Sequence, residues 1–123
     1  MPRLSATTIR RRAALAEMRA ASPELLHDSV VLHCIWDRRA HTPAAISRHM
    51  TLAMPSIWAA ARRLIEGGFL KAMGPALMLT EKGVDAAIAL DREWENDLRR
   101  AEREAARAAR DAANADPQPK GAA

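Results

Sequence analysis

Arginines at three places in the first two-thirds of the chain, Arg10-Arg11-Arg12, Arg48 and Arg62-Arg63, are the residues best equipped for chemistry, and Lys71 follows them. A guanidinium presents parallel N–H donors that match phosphate or carboxylate oxygens, so such groups make ion pairs within a fold or contacts to a polyanion. Ser47 stands beside Arg48, and Ser56 and Trp58 precede Arg62, adding two hydroxyls and an indole N–H that can donate to a phosphate or a base edge. Arg62 and Arg63 suit phosphate first and guanine edges only with sufficient reach. Each of these residues has a plainer reading as a solvated surface group. Trp58 has another, packing against Met54 or a neighbouring helix.

Charge is distributed in keeping with a polyanionic partner. The net charge is +4. Its excess lies in residues 1–22, where Arg3, Arg10, Arg11, Arg12 and Arg19 stand against Glu17, and in residues 51–79, where Arg62, Arg63 and Lys71 stand against Glu66. Residues 80–123 are net acidic. A basic arm beside a basic segment can neutralise several phosphates, and each one steepens the salt dependence of binding.

These side chains need elements to hold them. Thr42 is a capping hydroxyl and Pro43 suits the first helical position, so a short helix begins there, with Ala45, Ile46 and His49 or Met50 on one face. Thr51 and Leu52 form a turn. Pro55 opens a second helix, in which Ile57, Ala61, Leu64 and Ile65 recur at helical spacing until Gly67-Gly68 ends it. Phe69 to Ala72 and Leu77 to Leu79 then read as two strands about a Gly74-Pro75 turn. Thr80 caps a further helix, with Glu81 in its first turn.

The order helix, helix, glycine stop, hairpin and Leu79-Thr80-Glu81-Lys82-Gly83 helix start resembles the MarR-type winged helix-turn-helix transcriptional regulators. Ile46-Ser47-Arg48-His49-Met50 and Ile57 to Leu70 carry the rest of the likeness, which spans roughly residues 22–89. The resemblance implies a mainly α fold with a small β-hairpin. It also implies a homodimer on double-stranded DNA, the second helix in the major groove and the hairpin as wing. The chain departs from that pattern where its recognition helix begins. Ala53, Met54, Pro55, Ile57 and Ala59 offer no side-chain donor, and Ser56 is the polar residue among them. Lys71 is the single cation of the wing, which does not support deep minor-groove reading by arginine.

Two flanking segments complete the organisation. Residues 1–22 form a basic arm or helix, from Leu4 to Ala21, with a thin stripe of Ile9, Ala13, Ala16 and Ala20. Residues 23–83 form the winged domain, whose first helix, Glu24 to Arg39, covers the motif with Leu26, Val30, Val31, Cys34 and Ile35. Residues 84–114 lack proline and are rich in Ala, Glu and Arg, predicting a long helix; from Glu81 it spans about 50 Å. Val84, Ala87, Asp91, Trp94, Leu98, Ala101, Ala105, Ala108 and Ala112 alternate by three and four along it, a seam for a partner helix. A solvated single helix is the competing reading. The flanking helices are expected to build the dimer interface, since one motif and one helix make a small core. Residues 115–123 are expected to be a disordered tail.

The remaining chemistry is excluded by its absence from the pattern. No Gly-rich phosphate loop, nucleophile motif or paired acids are present, so no enzyme is expected. His27, His33 and Cys34 do not share one helical face, and His41 and His49 fall on other elements, so neither a metal nor another cofactor is expected. Cys34 is the single cysteine; it fits a reducing compartment and reads as a buried thiol rather than a redox sensor. No apolar stretch approaches a membrane span, and the arginine-rich start reads as a folded helix rather than a transit peptide, so a cytoplasmic location is expected. The functional expectation is a dimeric regulator, a repressor by preference, that clamps phosphates through Arg10, Arg11, Arg12, Arg48, Arg62 and Arg63. The alternative is a module that docks a partner protein through Met54, Pro55 and Trp58. An effector-binding pocket between motif and flanking helices is left open, with no residue that identifies its ligand.

Overall fold

A computed structural model describes residues 3–115. In chain order the elements are α1 (Ala6–Ala21), α2 (Leu25–Arg38), α3 (Pro43–Ser47), α4 (Met54–Glu66), the strands β1 (Leu70–Met73) and β2 (Ala76–Leu79), and α5 (Glu81–Asn114). The protein is therefore mainly α with one antiparallel hairpin. It divides into two units, Met1–Asp91 and Arg92–Ala123.

Local chemistry accounts for the element boundaries in the first unit. Ser5 caps α1 by accepting from the Thr8 amide at 3.1 Å, and Thr42 caps α3 by accepting from the Ala45 amide at 3.1 Å. Helix α4 closes in a Schellman arrangement: the Phe69 amide donates to the Leu64 carbonyl at 2.8 Å and the Gly68 amide to the Ile65 carbonyl at 3.0 Å. Gly68 takes a φ of 84°, which a side chain would oppose. The hairpin pairs Leu70 with Leu79 and Met73 with Ala76 across a two-residue Gly74-Pro75 turn. Gly74 has a φ of 59°, the positive value that a tight hairpin needs at its first loop position. The Leu77 amide also donates to the His41 carbonyl at 2.6 Å, tying β2 to the segment ahead of α3.

Thr80 joins hairpin to helix. Its hydroxyl donates to the Gly68 carbonyl at 2.6 Å and accepts from the Gly83 amide at 3.0 Å. Gly83 is needed for a different reason than Gly68: a Cβ there would sit 1.9 Å from the Phe69 carbonyl oxygen. The first turn of α5 thus rests directly on the backbone that follows α4.

The core of this unit is contributed by Leu15 and Met18 of α1, Val31, Leu32 and Ile35 of α2, Ile46 of α3, Ile57, Ala60, Ala61 and Leu64 of α4, Phe69, Leu70 and Leu77 around the hairpin, and Ala86 and Leu90 of α5. Two expected faces are corrected. Helix α1 buries Ala14, Leu15 and Met18 instead of the Ile9 stripe, and Ile9 is exposed, because the larger apolar surface lies on the side that also carries Arg11. On α2 the buried set begins with Asp28 and Ser29 and continues through Leu32, while Leu26 is 70% exposed and Val30 only half-buried. Ile65 likewise falls on the outer side of α4.

In the second unit, Arg92 to Asn114 continue as helix and the Ala115 amide closes on the Asp111 carbonyl at 2.8 Å. From Glu95 to Ala115 every residue is exposed, including Leu98. The tail expected beyond this point, Asp116 to Ala123, lies outside the described residues. No helix among the described residues is long and apolar enough to cross a membrane.

Candidate nucleic-acid interface

Helix α4 has two chemically distinct sides. Ile57, Ala60, Ala61 and Leu64 face the core, and Met54, Pro55, Trp58, Ala59, Arg62 and Ile65 face out. Trp58 is 51% exposed and lies one turn before Arg62. Ser56 is half-buried in the first turn of α4, where its amide donates to the Ala53 carbonyl at 2.9 Å. The outer face is thus an indole and a guanidinium flanked by apolar side chains, with Glu66 one further turn along.

Arg63 is held on the opposite side. Its Nε lies 3.1 Å from both carboxylate oxygens of Asp28 and its Nη2 lies 2.6 Å from Oδ1. Asp28 is 1% exposed, and the Ser22 hydroxyl donates to it as well. The hydrogen bond to Asp28 raises the Arg63 pKa above its ordinary value, against the opposing effect of burial. A buried carboxylate needs such a partner, so Arg63 is a clamp between α4 and α2 and not the free phosphate donor expected from sequence.

The amino-terminal arginines divide in the same way. Arg10 donates from Nε to Asp85 Oδ2 at 2.9 Å and from Nη2 to Oδ1 at 3.4 Å, and that bond raises its pKa. Arg11 Nε lies 3.9 Å from Asp85 Oδ1 and is buried without a hydrogen bond. Both are drawn toward one carboxylate of α5, which corrects the expectation that they are free for phosphate. Arg12 is exposed and has no ion pair among the described residues.

Arg48 at the end of α3, Arg62 on α4 and Lys71 on β1 are likewise exposed, with no ion pair or hydrogen bond to their side chains among the described residues. The Ser47 hydroxyl donates back to the Ala44 carbonyl at 2.7 Å, leaving only its acceptor capacity for a partner. The structure therefore separates the expected contacts into a free set, Arg12, Arg48, Trp58, Arg62 and Lys71, and an engaged set, Arg10, Arg11 and Arg63.

Sequence reasoning passed over Asp28, although an aspartate in register with Val31, Leu32 and Ile35 was the available signal. It also separated His33 from any partner. His33 Nε2 lies 2.8 Å from Asp91 Oδ1, and Asp37 stands one turn along α2. The i, i+4 spacing of His33 and Asp37 was visible; the arrival of Asp91, 58 residues later, was not. Cys34 is 4% exposed, and burial pushes its thiol pKa up, which keeps it protonated and unreactive. No described protein family, curated protein or solved structure matches this chain.

Proposed function

We propose that this chain is a winged helix-turn-helix protein that binds double-stranded DNA, as a homodimer, to regulate transcription in the cytoplasm. Helix α4 serves as the recognition helix and the β1–β2 hairpin as the wing. The observation that carries this reading is the anchoring of α4 by its inner face, through Arg63 on Asp28, so that an outer face bearing Trp58 and Arg62 stays open directly after a short helix and directly before a hairpin. Arg12, Arg48, Arg62 and Lys71 supply phosphate contacts, and Ser56 and Trp58 add donors near the base edges or backbone. The exposed Leu98 and alanines of α5 supply a seam for the second copy. Binding and not catalysis is the proposed work.

The test is binding of a labelled duplex at two salt concentrations by wild type, Arg62→Ala and Arg48→Ala. DNA binding that weakens steeply with salt, and weakens further in each variant, supports the reading; binding that ignores both arginines overturns it.

A second reading is favoured by one observation. Met54, Trp58 and Ile65 leave the outer face of α4 largely apolar, which suits docking of a partner protein through that helix. Salt-insensitive association lost in Trp58→Ala, with no DNA binding, would select it.

A further inference from the structure

Helix α2 carries a second chemistry away from Arg63. His33 and Asp37 are one turn apart, and with Asp91 of α5 each offers a ligand atom, all within 4.8 Å of one another. A cation about 2.1 Å from each of several ligands holds those ligands roughly 3–4 Å apart, so small side-chain rotations close this set around one ion. A cavity of about 200 Å³ opens beside it, lined among others by His33, Cys34, Asp37, Arg38, His49 and Met50.

We propose that His33, Asp37 and Asp91 form a binding site for a divalent transition-metal cation, with water in the remaining position. The donor set is imidazole and carboxylate, which suits zinc and its first-row neighbours; magnesium and calcium favour oxygen alone. Two features support a site over a plain histidine–aspartate pair. The pair needs only His33 and Asp91, yet a third ligand stands in range. His33 and Asp91 are partly sheltered, at 19% and 35% exposure, while Asp37 is exposed, so an ion would be partly desolvated and water would keep access to an open position. Arg38 is the competing cation, with Nε 3.5 Å from Asp37 Oδ2, but its side chain is 63% exposed and can turn to solvent when a divalent ion takes the carboxylate.

The site stands independently of whether α4 meets DNA. Its test is zinc titration of the full chain, free of any affinity tag, in competition with a chromogenic chelator, together with the visible spectrum of the cobalt-loaded protein. The expected result is one zinc per chain and a rise in melting temperature with zinc. His33→Ala, Asp37→Asn and Asp91→Asn each weaken binding by about tenfold or more, and His27→Ala leaves it unchanged. His33→Ala also loses the visible absorption of the cobalt-loaded protein. Asp37 is exposed and outside the core, so Asp37→Asn keeps the test clear of folding failure. Failure of the wild type to compete, or unchanged affinity in Asp37→Asn and His33→Ala, overturns the site.

Discussion

On its inner side α4 buries Ile57, Ala60, Ala61 and Leu64 and fixes Arg63 to a carboxylate that is 1% exposed, whereas on its outer side Trp58 and Arg62 meet solvent without a partner among the described residues. Arg62 and Arg63 are neighbours of identical chemistry. About 100° of helical rotation separates them, and that rotation decides which holds the fold and which is available to a ligand. Residue type alone therefore says little about function in an arginine pair. The partner within reach says more.

The sharpest way to break this contrast is Arg63→Met. It strips the cation from Asp28 while preserving much of the apolar stem, and the buried carboxylate left behind should cost about 3 kcal/mol or more in urea unfolding. Asp28→Asn should cost less, because Arg63 can turn toward water. A loss below about 1 kcal/mol in Arg63→Met would place the pair among weak surface bridges instead. Gly83→Ala comes next. The added methyl meets the Phe69 carbonyl, so the start of α5 must move, with a loss of about 2 kcal/mol by the same measurement.

The outer face should behave in the opposite way. Arg62→Ala and Arg48→Ala should leave the unfolding midpoint nearly unchanged, within about 0.5 kcal/mol, yet each should lower the slope of log affinity for DNA against log salt by about one. Trp58→Ala should likewise spare stability and reduce affinity. The smallest effect belongs to Cys34: its thiol should react with an alkylating reagent in native protein only at the rate of unfolding, and at full rate in denaturant.

How far the sequence foretold this arrangement depended on whether a signal was local. The Thr42-Pro43 start of α3, the Gly67-Gly68 stop of α4, the Gly74-Pro75 turn and the Thr80 cap were all legible, because each rests on backbone geometry within a few residues. The buried face of α1 was misread, since Ile9 outweighed Leu15 and Met18 in a stripe where Arg11 disguised the apolar side. Leu26 was misread for a related reason: hydrophobicity placed it inside, whereas α2 turns Asp28 inward to meet Arg63. Pairings across 35, 58 or 75 residues, Asp28 with Arg63, His33 with Asp91 and Arg10 with Asp85, have no local signature, and these are the contacts that sort the candidate site.

The measurement that bears most directly on the central claim is fluorescence anisotropy of a labelled duplex at low and moderate salt, with wild type, Arg62→Ala and Arg63→Lys. If the outer face of α4 reads DNA while Arg63 serves the fold, wild type binds with a steep salt dependence. Arg62→Ala then loses affinity at unchanged melting temperature, and Arg63→Lys loses stability with affinity preserved below its melting point. No binding at low salt, or equal DNA affinity in wild type and Arg62→Ala, would contradict it.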